Sequence, residues 1–272
     1  MGRHRRGDND TGWFHVMNRG VDHQQIFFAD SDRIDFGRLL GVGCERFGVE
    51  VHAYCLMTDH FHLLLRCPTG SLSSFMHDVG SAFTRHVNDR IDRDGPMFRG
   101  RFRSVRVDTD AYLRCVVRYI HCNPLDIASV EAADGYRWSS HRTYLGYRRR
   151  PAWLRTDVVL GMFDGDPAAF DRFVRRGEPM PSVVEADQLV SIIELIVDEL
   201  HDQPPGSNRH LTRAVSMLLL DQLPDQLRAG LLIWLAFPTA GARRTAMSRA
   251  RRLAESDPTI GRIAKRVEAL VA

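Results

Sequence analysis

The sequence predicts an α+β fold in which helices pack on one face of an antiparallel sheet, followed by a region that is helical throughout. Two observations lead to this prediction. Up to residue 107, strand-like segments with alternating polarity interleave with segments whose apolar residues recur every three to four positions. From Val183 onward only the helical spacing persists, with breaks at prolines. The apolar content of 44% in 272 residues is sufficient for two separate cores.

The elements of the first region follow from local patterns. Strands are predicted where β-branched and aromatic residues alternate with polar ones, and helices where apolar residues form one stripe. Gly48 ends the first helix, Gly95 and Pro96 end the second, and Pro124 stops the third. The predicted elements are a strand at 13–19, a helix at 31–47, strands at 49–57 and 61–66, a helix at 72–91, a strand at 98–107 and a helix from Asp108 or Thr109 to about Asn123.

This order of elements, β-α-β-β-α-β followed by a further helix, is that of the ferredoxin-like split arrangement. We therefore predict a first domain at 1–150 and a connecting segment at 151–182, which ends in the sequence PMPS. Residues 183–272 are predicted to form a separate bundle of about five short helices.

Composition narrows the class of protein. The five cysteines form no CxxC pair, which argues against a disulfide framework and a structural zinc site. No apolar run approaches the roughly 20 residues that a membrane span needs, so we expect a cytoplasmic protein without a membrane partner. The net charge of +3 does not by itself indicate a nucleic-acid partner.

The distribution of positive charge is more informative than its sum. Two stretches, 97–106 and 242–252, contain several arginines and no acidic residue. Arginine binds phosphate in a bidentate manner and stacks on bases, so both are candidate DNA contacts, although a solvated basic face would have the same composition. The candidate DNA-binding residues are Arg99, Arg101, Arg103, Arg243, Arg244 and Arg249.

A pair of histidines in the third predicted strand is the first candidate for chemistry. Successive side chains of a strand point to opposite faces, so His60 and His62 project to one side while Phe61 projects to the other. Two imidazoles about 7 Å apart along a strand can bind one divalent metal ion. A histidine pair of this kind can also be merely solvent-facing or polar.

The second candidate pair lies on the helix after Asp108. Tyr119 and Asn123 are four residues apart and flank the apolar stripe, so they can address one site together. Taken alone, Tyr119 would be ordinary boundary packing, and Asn123 before a proline would be an ordinary helix stop. Tyr112, seven residues before Tyr119 on the same face, is the alternative nucleophile.

These residues lie within motifs that resemble a known family. The sequence resembles the REP-associated tyrosine transposases of the HUH single-tyrosine transposase superfamily over roughly residues 12–147. The shared motifs, in chain order, are NRG (18–20), HAYCLMTDHFHLLL (52–65), RGRFRS (99–104), YIHCNP (119–124) and YRWSSHRTY (136–144). One departure is that Thr58 and Asp59 stand where the family usually has proline and asparagine, which changes the charge beside the first histidine.

The resemblance implies a role for each candidate residue. His60 and His62 match the paired metal ligands of the family, Asn123 the polar side chain that completes the site, and Tyr119 the nucleophile. The implied cofactor is Mg²⁺ or Mn²⁺, and the implied reaction is cleavage of single-stranded DNA through a 5′-phosphotyrosine intermediate. Family members recognise short palindromic hairpins with a flanking tetranucleotide, so the implied partner is hairpin-containing single-stranded DNA, bound by a monomer or a homodimer.

The C-terminal region suggests a second DNA contact. A helix at 227–235, a break at Phe237 to Thr239 and an arginine-bearing helix form the order of a helix-turn-helix, whose second helix enters the major groove. The stretch is similar to the C-terminal DNA-binding domain of the replication initiator DnaA, which implies duplex DNA as a further partner. A helical bundle used for packing or dimerisation has the same pattern.

Three functions remain open at this level. The first is an active endonuclease and strand transferase. The second is a domesticated DNA-binding regulator of the same fold that does not cleave. The third is an unrelated metal-dependent phosphoesterase in which water is the nucleophile. The presence of both histidines together with Tyr119 and Asn123 favours the first, because a protein that only binds DNA does not need all four.

Overall fold

The computed structural model describes residues 11–126, 130–176, 186–200, 208–220, 222–223, 228, 231–232, 235 and 240–271. The chain divides into two units. One consists of Met1–Asp108 and Val116–Arg176, and the other of Thr109–Cys115 and Gly177–Ala272. Within the described ranges, no helix has the length and apolar character that crossing a membrane requires.

Four strands form the sheet of the first unit. They are β1 (Gly12–Arg19), β2 (Glu50–Leu56), β3 (His60–Cys67) and β4 (Arg103–Val107). Their order across the sheet is β2-β3-β1-β4, and every neighbouring pair is antiparallel. This is the strand order of a ferredoxin-like β-α-β-β-α-β unit, so the predicted α+β fold class is confirmed.

Two long helices, α1 (Asp30–Phe47) and α2 (Leu72–Ile91), cover one face of this sheet. The face is apolar because alternate residues of the central strands turn the same way, and Phe61 of β3 is one of them. The Phe36 ring of α1 lies 4.9 Å from that of Phe61 and 5.0 Å from that of Phe83 on α2. This aromatic contact joins both helices to the sheet.

A buried carboxylate fixes the start of α1. Asp32 has no exposed surface and accepts hydrogen bonds from the backbone N–H groups of Phe28 (2.7 Å) and Ala29 (2.8 Å). Its other partner is Arg90 in the last turn of α2, with an ion-pair distance of 2.7 Å. The pair therefore connects the first turn of one helix to the last turn of the other.

The fourth strand is shorter than predicted. The sequence pattern indicates a strand over 98–107, but regular pairing with β1 begins only at Arg103, and Phe98 makes an isolated bridge to Gly20. The intervening residues instead bend around the end of β1, where the N–H of Arg99 donates to the Arg19 carbonyl and the Asn18 amide donates to the Gly100 carbonyl. The alternation of polarity in the sequence continues through this bend, so a prediction based on it makes the strand too long.

The remainder of the first unit is mostly helical, and its segment 139–155 packs along β2. The helices here are α3 (Asp110–Cys122), of which residues 116–122 belong to this unit, and the short helices α4 (His141–Tyr144), α5 (Asp157–Gly161) and α6 (Pro167–Arg176). Ser139 and Leu154 form bridges to Cys55 and Val51 of β2. The described part of the predicted connecting segment therefore forms α5 and α6, whereas the PMPS sequence lies outside the described residues.

The second unit is helical in its described part beyond residue 185. Its helices are α7 (Ala186–Leu200), α8 (Arg209–Leu219), α9 (Ala240–Ser256) and α10 (Pro258–Val271). They share a core of aliphatic side chains, including Ile193, Val215 and Ile263, which have no exposed surface. Most of the predicted helix at 227–235 and all of the break at 237–239 lie outside the described residues, so the helix-turn-helix remains a prediction.

Candidate active site

The two histidines of β3 lie on the face of the sheet opposite to α1 and α2. His62 has no exposed surface and His60 is 7% exposed, while Phe61 between them points into the helix-covered core. The centroids of the two imidazole rings are 5.2 Å apart. Strand alternation therefore produces the side-by-side arrangement that the sequence predicts.

The last turn of α3, with the residue that follows the helix, brings the second candidate pair to the same place. The His60 Nε2 and Asn123 Oδ1 atoms are 3.2 Å apart. The Tyr119 ring lies edge-on to the His62 ring with a centroid separation of 5.2 Å. Two imidazoles, one amide and one phenol, which come from elements about 60 residues apart, thus form one buried cluster.

A hydrogen-bonded serine holds this end of α3 beside the sheet. The hydroxyl of Ser140 lies 2.7 Å from His121 Nε2 and accepts the backbone N–H of Tyr54 at 3.0 Å. Burial, with a smaller contribution from neighbouring His141, keeps the pKa of His121 well below its ordinary value. His121 is therefore neutral near pH 7 and can take part in this network without a buried charge. Because it stands between Tyr119 and Asn123 in the chain, its position constrains both.

Asp59 forms a hydrogen bond to the first histidine. Its Oδ1 accepts from His60 Nδ1 at 2.7 Å, and its Oδ2 lies 3.8 Å from Arg19 Nη2. Burial opposes ionisation of Asp59, but the hydrogen bond and charge of His60, together with Arg19, outweigh it and lower the pKa of the carboxyl below its ordinary value. Asp59 is thus an ionised acceptor that fixes the proton of His60 on Nδ1.

His15 of β1 is a member of the cluster that motif spacing does not predict. Its Nε2 lies 3.1 Å from His62 Nδ1, and its ring centroid is 5.4 Å from that of Tyr119. Strand pairing explains this position, because Met17 pairs with His62 and His15 is two residues along the same face. The only sequence signal for it is a histidine within an otherwise apolar strand, and its significance depends on the register.

The donor set suits a hard divalent cation. His60 Nε2 and Asn123 Oδ1 lie 3.2 Å apart, and a neutral His60 ring with its proton on Nδ1 would present a lone pair at Nε2, so both atoms could serve as ligands of one ion. Adjacent ligands of an octahedral ion bound at about 2.1 Å are roughly 3 Å apart. The buried Asn123 Nδ2 has no hydrogen-bond partner in the described part of the chain.

The candidate metal site combines imidazoles with an amide. Among the described residues, no group of three or more His, Cys, Asp or Glu side chains is arranged to hold a metal ion. Here the candidate ligand set has only two imidazoles, and its third member is an amide. This composition leaves coordination positions for oxygen atoms of water or of a phosphate.

The three candidate DNA-binding arginines of the stretch 97–106 do not lie on one face of the sheet. Arg103 begins β4 and pairs with Met17, which in turn pairs with His62, so Arg103 lies on the face of the site two strands away from that histidine. Arg101 is exposed and lines a cleft on the opposite face. Arg99 precedes both of them and lies in the bend at the end of β1, where its N–H donates to the Arg19 carbonyl.

The remaining candidates are located as follows. Arg243, Arg244 and Arg249 all lie on α9 of the second unit, and Arg249 lines a cavity between α8 and α9. Tyr112, the alternative nucleophile, is 1% exposed. Their roles in DNA binding and catalysis remain predictions.

Comparison with known proteins agrees with the motif resemblance in the first region. Residues 10–123 match the family model described as IS200-like transposase. This range contains β1 to β4 and the whole candidate cluster, and it ends at Asn123. The similarity to IS200-like transposases therefore extends over the whole sheet and the whole candidate cluster.

One solved structure that resembles this chain is described as a REP-associated tyrosine transposase bound to a REP hairpin. The TM-score is 0.46 and the sequence identity 19%, and the likeness covers 58% of this chain and 93% of the other. No curated protein matches the sequence.

Proposed function

We propose that the protein is a metal-dependent single-stranded DNA endonuclease and strand transferase in which Tyr119 is the nucleophile. The observation that carries this proposal is the convergence of Tyr119, His60, His62 and Asn123 in one cluster. The IS200-like transposase match over the same residues supports it. A protein that only binds DNA has no use for a phenol placed beside two imidazoles.

His60, His62 and Asn123 would hold the cation, through Nε2 of His60 and the amide oxygen of Asn123. A bound Mg²⁺ or Mn²⁺ supplies Lewis acidity that stabilises the charge developing on the scissile phosphate. His15 and Asp59 orient the two imidazoles by hydrogen bonds to their Nδ1 atoms, as partners of metal-binding histidines commonly do.

Tyr119 performs the covalent step. Its hydroxyl loses a proton, and the oxygen forms a bond to phosphorus while the bond from phosphorus to the 3′ oxygen breaks. The departing 3′ oxygen takes up a proton, so the products are a 5′-phosphotyrosine and a free 3′-OH. An unperturbed phenol has a pKa near 10, so this attack needs a strongly activated phosphate.

The phosphotyrosine conserves the energy of the phosphodiester bond. The 3′-OH of another strand can attack it and displace Tyr119, which joins two DNA ends without ATP. In the present structure Tyr119 is only 4% exposed, so its hydroxyl must become accessible when DNA binds. The proposed substrate is single-stranded DNA that contains a hairpin. The arginines of α9 are proposed to contact duplex DNA.

The decisive experiment is a search for a covalent adduct. We expect the full-length protein, incubated with single-stranded DNA from beside its own gene and Mg²⁺ or Mn²⁺, to form a species that migrates as protein plus DNA on a denaturing gel. EDTA should prevent its formation. A regulator that only binds would give no cleavage, and a water-dependent phosphoesterase would give cut DNA without an adduct.

Asp59 offers a second test of the proposed metal site. We expect Asp59→Ala to lower the affinity for Mn²⁺ by about 10- to 100-fold, because His60 loses the acceptor that fixes its proton on Nδ1. Asp59→Asn keeps an acceptor oxygen, so its affinity for Mn²⁺ should lie between those of Asp59→Ala and the parent protein. Isothermal titration with Mn²⁺ measures both without reference to cleavage. Equal affinity in all three proteins would contradict the assignment of His60 as a ligand.

A further inference from the structure

A second concave surface lies on the face of the sheet opposite to the candidate active site. It is a cleft of about 660 Å³ between α2 and the segment 96–102. The size is within the usual range of ligand sites, roughly 300–1,000 Å³. The proposed cleavage mechanism does not use this cleft.

The wall formed by α2 is polar and regular. Ser73, His77, Ser81 and Arg85 are spaced by four residues, so they form one row along the helix, and all four line the cleft. The row provides three donors of modest strength and ends at a guanidinium. Among the residues that the structure describes, no aspartate or glutamate lines the cleft.

Two arginines of the cleft are available for a ligand. Arg85 on α2 and Arg101 on the opposite wall are both exposed, and within the described part of the chain neither makes a hydrogen bond or an ion pair. This contrasts with Arg46 and Arg38 of α1, which pair with Asp78 and Asp35. Two unneutralised guanidinium groups at one cleft favour an anionic ligand.

The opposite wall is aromatic. Phe98 and Phe102 line the cleft, are partly buried, and pack against the hydrophobic core, which holds them in place. The segment that carries them is itself fixed to the end of β1 through hydrogen bonds from Val21 to Met97 and from Asn18 to Gly100. The wall is therefore built before a ligand arrives.

Aromatic side chains beside arginines form the composition that binds unpaired nucleotides, because bases stack on the rings and phosphates bind the guanidinium groups. An apolar peptide would leave both arginines unpaired, and an isolated phosphate would not use the rings. The floor residue Phe61 lies between His60 and His62 in β3, so the cleft and the candidate active site are on opposite faces at the same end of one strand.

We infer that this cleft binds one or two unpaired nucleotides of the single-stranded DNA that the protein cleaves. The inference rests on the proposed function, since it assigns the ligand from the same substrate. Arg85 and Arg101 contact the phosphates, and Phe98 and Phe102 stack on the bases. The cleft holds a part of the DNA that does not take part in the cleavage reaction.

The double variant Arg85→Ala and Arg101→Ala, made in the full chain, tests the contribution of these two charges to DNA binding. The probe is fluorescein-labelled oligo(dT) of 12 nucleotides, and binding is followed by anisotropy in EDTA so that cleavage does not interfere. We expect binding to weaken about tenfold or more, and the slope of log K against log salt concentration to fall by about 1.4, which corresponds to two phosphate contacts on a single strand. The matched control, Arg38→Ala combined with Arg46→Ala, removes the same charge from exposed arginines of α1 and should leave the slope unchanged.

Gly80 provides a test that does not alter charge. A Cβ atom at this helical position would have ordinary contact with Phe98, at 3.9 Å, so Gly80→Leu can place its side chain in the cleft without a backbone clash. We expect this variant to remain folded by circular dichroism and to bind oligo(dT) about tenfold more weakly.

Two outcomes would overturn the inference. One is that the double arginine variant binds oligo(dT) with the same affinity as its control variant, and the other is that a folded Gly80→Leu protein binds with unchanged affinity. If the adduct forms but these variants bind normally, only the cleft assignment fails; if no adduct forms while they lose binding, only the cleavage proposal fails.

Discussion

Tyr119→Phe is expected to abolish the covalent protein-DNA adduct and leave hairpin binding within about twofold of the parent protein. The substitution removes one oxygen atom, and the ring remains available for its edge-on contact with His62. Loss of a covalent nucleophile lowers rates by on the order of 10⁶ in a well-studied hydrolase, so the adduct should fall below detection. Denaturing gels measure the adduct, and anisotropy with a labelled hairpin in EDTA measures binding.

Tyr112→Phe is the matched control, because it makes the same chemical change on the same helix. Tyr112 is 1% exposed, and we expect its variant to form the adduct at the parental rate if it remains folded. Adduct formation by Tyr119→Phe at full rate would overturn the proposed mechanism. Loss of the adduct in Tyr112→Phe alone would instead assign the nucleophile to Tyr112.

The local geometry of the site could be predicted from sequence because it follows from helix and strand periodicity. Alternation places His60 and His62 on one face, and a spacing of four places Tyr119 and Asn123 on neighbouring turns. The sequence does not predict that the two pairs come together on the same face of the sheet. That depends on the packing of α3 against the sheet, to which the contact of His121 with Ser140, 19 residues later, contributes.

The residues that sequence reasoning missed share a dependence on register. His15 meets His62 only because Met17 is opposite His62 in the antiparallel pair of β1 and β3. The split of Arg101 and Arg103 between two faces likewise follows from the point at which β4 begins to pair. Alternation alone cannot locate that point, because the side chains of the preceding bend continue the same pattern.

The second large effect is expected from substitution of the proposed metal ligands His60 and His62. We predict that His60→Ala and His62→Ala each lower the rate of adduct formation by on the order of 10³ or more, because the stabilisation that a metal ion gives a developing phosphate charge is several kcal/mol. Removal of the metal with EDTA should have the same effect on the parent protein. Mn²⁺ titration of each variant should show weaker binding than the parent.

His86→Ala is the control for these variants. His86 is an exposed histidine on α2 that pairs with Asp35, so its loss removes an imidazole from the same unit without touching the candidate site. Since His62 is buried, circular dichroism and urea unfolding must show that the His62→Ala protein is folded before its rate is interpreted. If a folded His60→Ala or His62→Ala protein forms the adduct at the rate of His86→Ala, the two imidazoles do not hold the catalytic cation. Tyr119 would then have to be activated by other groups on the same face, such as Arg19, which lies directly opposite His60 in the strand register.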